Sequence, residues 1–172
     1  ETANFGEVLS AAGCEKAADF VNFCDAFSIP VLTLTNVTGY KATKCQEKRI
    51  AKAAAKLIYA FHDMTAPKVN VIVGAANGTA SLAMNNSADM TYAWPQATIG
   101  MMDPVSAAKI MYADDKDADL AEKAAQFAAQ SGTEAAAARG YVDSVIEPAS
   151  ARKQLLYAFE MLYNKCEYPI GK

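Results

Sequence analysis

The chain has 172 residues, 52% of them apolar and 20% charged, with a net charge of −3, which is enough to bury one core and too little for two domains of ordinary size. Lysine and arginine are scattered rather than clustered, which excludes the electrostatic footprint of a nucleic-acid or anionic-lipid partner. No apolar run approaches the ~20 residues of a spanning helix, and no basic segment leads into an apolar one at the start, so a soluble, cytoplasmic protein without membrane insertion is expected. The chain opens on Glu1 rather than Met, as an excised piece of a longer protein would.

The first predicted helix covers about residues 13–26, with a core face at Ala17, Phe20, Val21, Cys24 and Phe27. Ser28-Ile29-Pro30 ends it, because the residue before a proline avoids the α region. Residues 31–35 read as a strand, Gly39 as a turn, and about 46–64 as a helix with strong intrinsic propensity at its centre. A second strand–turn–helix unit follows, with a strand over 69–73, a turn of small residues over 74–78, and a helix opening at Thr79 and Ala80. Two short strands joined through Trp94 and Pro95 precede a helix that starts at Pro104. The charge run at 114–117 reads as a solvated loop and N-cap for a helix over about 118–130. A short helix ends at Gly140, where positive φ is expected. Residues 141–146 form the last predicted strand, and Ser150 caps a final helix through Asn164.

The four cysteines, Cys14, Cys24, Cys45 and Cys166, show no CxxC spacing and have no histidine nearby to complete a zinc site. Cys14 and Cys24 on one helix stand roughly 15 Å apart, beyond disulfide reach. Free, mostly buried thiols in a reducing compartment are expected. The lone histidine, His62, falls near a helix C-terminus and is expected at the surface. Asp25, Asp103 and Asp143 are isolated in sequence and are expected to cap or bridge locally rather than act as general acids.

The segment over 66–84 carries the most chemistry. Backbone N–H groups at the start of a helix lack intrahelical partners and can bind a developing oxyanion, which makes the Thr79 and Ala80 amides candidate donors. The same strand–glycine–helix unit also reverses the chain in α/β domains that do no chemistry. The segment alone leaves both open.

Several motifs occur in order: Asn36-Val37-Thr38-Gly39-Tyr40, Ala55-Lys56-Leu57-Ile58-Tyr59-Ala60, Ala66-Pro67-Lys68-Val69, Ala76-Asn77-Gly78-Thr79-Ala80, Thr91-Tyr92-Ala93-Trp94-Pro95 and Ala138-Arg139-Gly140-Tyr141-Val142-Asp143. On these the chain, from Phe5 to about Lys165, resembles the C-terminal half of the carboxyltransferase (beta) subunit of biotin-dependent acyl-CoA carboxylases and decarboxylases. The corresponding motifs of that family read DVPGF, AKLLYA, VPKV, AYGGA, NYAWP and AERGYVD. The resemblance implies an α/β, crotonase (ClpP-like) fold of repeated strand–turn–helix units, in a single domain over residues 1–172. It also implies that carboxylate moves between carboxybiotin and an acyl-CoA, or is lost in the related decarboxylation. The Thr79 and Ala80 amides then form the oxyanion hole that holds the ureido oxygen of biotin, with Gly39 and Gly78 on the biotin side. Leu82 stands where family members carry a residue that shapes the acyl pocket. The implied cofactor is biotin on a biotin carboxyl carrier protein, the implied substrate an acyl-CoA, and no metal is needed. A half-length chain needs an N-terminal-type carboxyltransferase domain or subunit to bind CoA, and a homo-oligomer is expected.

The chain departs from this family at its glycines. Gly78-Thr79 replaces two adjacent glycines, which puts a β-branched side chain where a ligand must approach the backbone closely. The family's GGIIRHG reads KRIAKAA at residues 48–54, and its GPEGA reads Asp103-Pro104-Val105-Ser106-Ala107. The alternative is therefore a degenerate structural or regulatory domain of a carboxylase or decarboxylase complex. A free-standing crotonase-like hydrolase or isomerase needs a carboxylate beside the oxyanion hole, and none is evident beside Thr79.

Overall fold

The computed structural model describes residues 2–3, 8–114, 119–165 and 167. Two short strands, β1 (Thr2–Ala3) and β2 (Val8–Leu9), precede α1 (Ala11–Ala26). Ser10 sets the start of α1, earlier than predicted: its backbone is extended and its Oγ accepts from the Gly13 N–H at 3.1 Å. The buried face of α1 is Cys14, Ala18, Val21 and Cys24, whereas Phe20 and Phe27 are exposed. This corrects the predicted core face. Small residues at 14 and 18 let the next long helix approach closely, and the aromatic residues lie off that stripe.

The chain continues through β3 (Val31–Val37), β4 (Gly39–Tyr40), α2 (Lys44–Asp63) and β5 (Lys68–Asn77). The predicted turn over 74–77 is instead strand, and only Gly78 turns. Next come α3 (Gly78–Ala83), β6 (Met90–Ala93), β7 (Thr98–Gly100) and α4 (Pro104–Met111). The remaining elements are α5 (Leu120–Gln130), α6 (Thr133–Ala138), β8 (Ser144–Val145) and α7 (Pro148–Met161), which runs into a 3-10 turn.

Three predicted boundaries move for local reasons. Asp119 caps α5 by accepting from the Ala121 and Glu122 N–H groups at 2.9 and 3.3 Å; of the charge run assigned that role, residues 115–117 lie outside the described residues. Glu147 is the N-cap of α7, with Pro148 in the first turn, so Ser150 lies inside the helix and donates its hydroxyl to the Glu147 carbonyl at 3.0 Å. The last strand shrinks to Ser144–Val145. Gly140 has φ of +79°, as expected.

The main sheet is parallel, in the order β1-β3-β5-β6-β8, with β7 pairing the far end of β5; β2 and β4 form a separate parallel pair. One face carries Val31, Val37 and the α1–α2–α3 cluster, in which Leu57 and Val21 are fully buried. The other face carries Val69, Val71 and Tyr92 under Leu155, Ala158 and Phe159 of α7. Helices on both faces are what a parallel sheet requires. No helix among the described residues is long and apolar enough to cross a membrane.

Candidate functional site

β5 pairs β3 in register from Val31↔Lys68 to Thr35↔Ile72, then slips, so that Val37 faces Ala76. The excess residues bulge, and Asn36 holds them: its Oδ1 accepts from the Ala75 N–H at 2.9 Å. A Cβ at Gly74 would lie 2.5 Å from that same oxygen, so any side chain there would push Asn36 out of its bond. Beyond the bulge β5 pairs β7 through Ala75↔Thr98, Ala76↔Ile99 and Asn77↔Gly100.

The chain then turns in one residue. Gly78 has φ of +60°, and a Cβ there would stand 2.9 Å from the Met101 carbonyl oxygen, so two separate constraints demand glycine. Thr79 follows with an exposed side chain, while Ala80 is 1% exposed and packs into the core. Two hydroxyls tie down this first turn of α3: Tyr40 donates to the Thr79 carbonyl at 3.1 Å, and Ser81 donates to the Gly78 carbonyl at 2.7 Å. Burial raises the Tyr40 phenol above its ordinary value, and the bond to Thr79 pulls the other way.

Beside α3 lies a cleft of about 90 Å³ lined by Thr35, Asn70, Ser81, Asn86 and Thr91 together with Ile72, Ala76 and the exposed Tyr141. None of these side chains is charged at neutral pH. Thr35 donates to the Asn70 Oδ1 at 2.7 Å, which leaves the Asn70 amide nitrogen as the end of that side chain free to meet a ligand oxygen. The polar row continues inward, where Asn85 Nδ2 donates to Thr33 at 3.0 Å and Asn85 Oδ1 is buried without a partner. The sequence signal for this row was visible in hindsight: Thr33, Thr35 and Asn70 interrupt otherwise apolar strands.

The predicted site residues divide. Gly39 and its neighbour Tyr40 are brought to α3, and a Cβ at Gly39 would meet nothing within 4 Å. Gly78, Thr79 and Ala80 form the turn itself. Leu82, on the outer side of α3, is 48% exposed, and neither it nor Gly39, Gly78, Thr79 or Ala80 lines the cleft, which α3 meets through Ser81. Asn36 and Tyr40 enter the sequence reading only as the ends of a motif, with no role assigned, and Asn70 does not enter it.

The other titratable groups serve as ties. Asp25 accepts from the Thr65 and Ala66 N–H groups, and Asp143 accepts from the Thr91 N–H, so both bridge distant segments instead of acting locally. Asp103 does cap locally, accepting from the Ser106 N–H at 3.1 Å. Buried Lys68 donates its ammonium to the Phe61 and Met64 carbonyls at the end of α2, and burial lowers its pKa, followed by the nearby Lys165 charge. Lys165 in turn grips both Asp89 oxygens, at 2.8 and 3.0 Å. Cys14 and Cys24 are free and buried and Cys45 is free and exposed, so the described thiols are mostly buried; Cys166 lies outside the described residues. His62 is exposed, with Nδ1 2.9 Å from the Ile58 carbonyl. Among the described residues no group of three or more His, Cys, Asp or Glu is placed to hold a metal ion.

Comparison with known proteins bears on this arrangement. The carboxyl transferase domain family matches residues 1–172. The chain is 42% identical over 168 residues to the methylmalonyl-CoA carboxyltransferase 12S subunit of Propionibacterium freudenreichii subsp. shermanii, covering 91% of this chain and 32% of that one. It is 39% identical over 167 residues to the methylmalonyl-CoA decarboxylase subunit alpha of Veillonella parvula, covering 91% and 32%. The crystal structure of transcarboxylase 12S, a hexamer with methylmalonyl-coenzyme A and methylmalonic acid bound, superimposes with a TM-score of 0.91 at 39% identity, over 96% of this chain and 33% of that one. The chain thus spans about a third of the length of the relatives it matches. With the family match running over residues 1–172 and the superposition over 96% of its length, the chain belongs to the carboxyl transferase domain family, with a crotonase-like α/β fold.

Proposed function

We propose that the chain is the C-terminal-type, biotin-side part of a carboxyltransferase that moves carboxylate between carboxybiotin and an acyl-CoA, or that performs the related decarboxylation. The observation that carries this is the turn at Gly78. The one motif glycine that sterics demand is retained, and the replaced one, Thr79, falls where its side chain points to open space rather than into the core.

In this reading the Thr79 and Ala80 N–H groups stabilise negative charge on an oxygen at the start of α3, each worth ~3–4 kcal/mol in the transition state. Gly39 and Gly78 keep side chains away from that approach, and Leu82 borders the acyl side. The cleft that α3 borders through Ser81 offers amide and hydroxyl groups and no charge, which suits a neutral, oxygen-bearing head group. Biotin on a biotin carboxyl carrier protein would supply the carboxylate when bound. An N-terminal-type carboxyltransferase domain would hold CoA, and a homo-oligomer would complete the assembly.

A second reading, a degenerate structural or regulatory domain of such a complex, is favoured by Thr79 itself, whose exposed β-branch stands where a ligand would approach the donor turn. The two separate in one experiment: carboxyl transfer from carboxybiotin, with a CoA-binding partner domain supplied. For a live site Thr79→Gly keeps or raises the rate, and Ala80→Pro, which deletes one donor, lowers it ~100-fold or more. If neither the native chain nor Thr79→Gly binds biotin at millimolar concentration with the partner present, the structural reading replaces the catalytic one.

A further inference from the structure

The geometry points to Tyr40 as a positioning residue that aims the Ala80 N–H through the opposite edge of its own peptide unit. This rests on the donor role proposed above for that amide. The Tyr40 hydroxyl donates to the Thr79 carbonyl oxygen at 3.1 Å. That carbonyl and the Ala80 N–H belong to one planar group, and the described chain contains no cis peptide bond, so the two point in opposite directions. Fixing the oxygen therefore fixes the direction of the hydrogen. A donor on the carbonyl also polarises the unit and strengthens its N–H as a donor in turn.

The Thr79 carbonyl also stands at the start of α3 (Gly78–Ala83), where the helix itself supplies an N–H from one turn on, so the Tyr40 hydroxyl is a second donor on that oxygen, while the rest of the turn is held from other sides. Asn36 clamps Ala75, and the Met101 carbonyl closes over Gly78. Asn36 and Tyr40 flank the same short passage from β3 to β4, so one segment grips the donor turn at both ends. Tyr40 is well seated for this: its ring packs on the cluster of α1, α2 and α3, and its backbone pairs with Leu9 in the small sheet. The resembled family motif ends in phenylalanine at this position, which fills the same space and lacks the hydroxyl. The phenol of this chain meets the carbonyl of Thr79, the residue that replaces the second motif glycine.

The variant Tyr40→Phe tests this, since it keeps the ring and removes the bond. In nitrogen–proton correlation spectra of the 172-residue chain, we expect the Ala80 amide to shift and to exchange faster with solvent, while amides of α1 and α7 stay in place. With a CoA-binding partner domain supplied, kcat for carboxyl transfer is expected to fall roughly five-fold with KM for biotin unchanged. An Ala80 amide that does not move in Tyr40→Phe overturns the assignment, as does an unchanged kcat in an active preparation. If neither protein transfers carboxylate, the carboxyltransferase reading fails, and the Ala80 amide still decides whether Tyr40 orients that peptide.

Discussion

Around α1, α2 and the first half of β5, large apolar side chains are closed off from water: Leu57 and Val21 are 0% exposed and Met64 is 1% exposed. In the arm that runs from Met101 through α4 and α5, the same residue types face outward, with Met101 at 85%, Ile110 at 64% and Met111 at 69%. α4 buries only Ala108, and α5 buries no residue at all. Both regions are rich in alanine and mainly helical, so propensity does not separate them. Burial does. A short helix in water is marginal without tertiary packing, and the arm has little beyond the contact of its two helices with each other, a Lys123 ammonium 5.2 Å above the Tyr112 ring, and the Met101 carbonyl over Gly78.

The contrast is sharpest in paired truncations. Leu57→Ala should cost about 2–5 kcal/mol of unfolding free energy, whereas Ile110→Ala should stay within ~0.5 kcal/mol; urea titration of both variants measures this. Equal losses would mean that the arm shares the core's cooperativity. Native-state hydrogen exchange gives the same contrast without mutation, with β5 amides protected to the global limit and α5 amides exchanging through local opening.

A smaller effect is expected where the body is held by charge. Lys165 and Asp89 have side chains 8% and 15% exposed, and Lys68 donates its backbone N–H to the same carboxylate at 2.9 Å. Lys165→Met leaves that carboxylate without its cation and should cost about 2–3 kcal/mol. The double variant Lys165→Met with Asp89→Asn should recover part of the loss, and a double-mutant cycle showing no coupling would count against the pair as a tie between the segment after α7 and the start of β6.

The smallest effect concerns pH. Burial, then the neighbouring Glu15 charge, raises the Cys14 thiol above its model-compound value of 9.0. The neutral thiol is the form the fold favours, so its contribution is fully present below pH 9 and fades as pH climbs through the raised value, by at most ~1.4 kcal/mol per pH unit. Lys68, lowered from 10.5, works in the opposite sense, since the fold gains as that ammonium deprotonates. The difference between the native chain and Cys14→Ala isolates the thiol. Its stability gap should shift in favour of Cys14→Ala above pH 9, and a gap constant with pH would remove the thiol from the account.

Sequence patterns carried the fold well because this fold is made of repeated local units. β3 and β5, α2, the Trp94-Pro95 link and the Gly140 turn fell close to where composition and periodicity put them. Apart from the helix starts moved by local caps, the errors share one cause, a partner far away in sequence. Residues 74–77 look like a turn by composition and are strand because Asn36 and β7 supply their hydrogen bonds. Phe20 and Phe27 fit a helical stripe, but α2 packs on the neighbouring stripe of small residues. At the site, the motif located Gly78 to Ala80, yet Tyr40 and Asn70 became meaningful only once the sheet brought them within reach of α3 and of the cleft.

The slip between β3 and β5 has a consequence of parity. Two steps along β3, from Thr35 to Val37, span four along β5, from Ile72 to Ala76. Side chains on a strand alternate with a period of two, so an even surplus returns every later residue to the face it would have occupied. Ile72 and Ala76 accordingly share one apolar cluster on either side of the bulge. Removing a single residue between them would turn Ala76 outward and rotate the whole donor turn to the wrong side of the sheet, while removing two would shorten the reach of β5 and leave its handedness of facing intact.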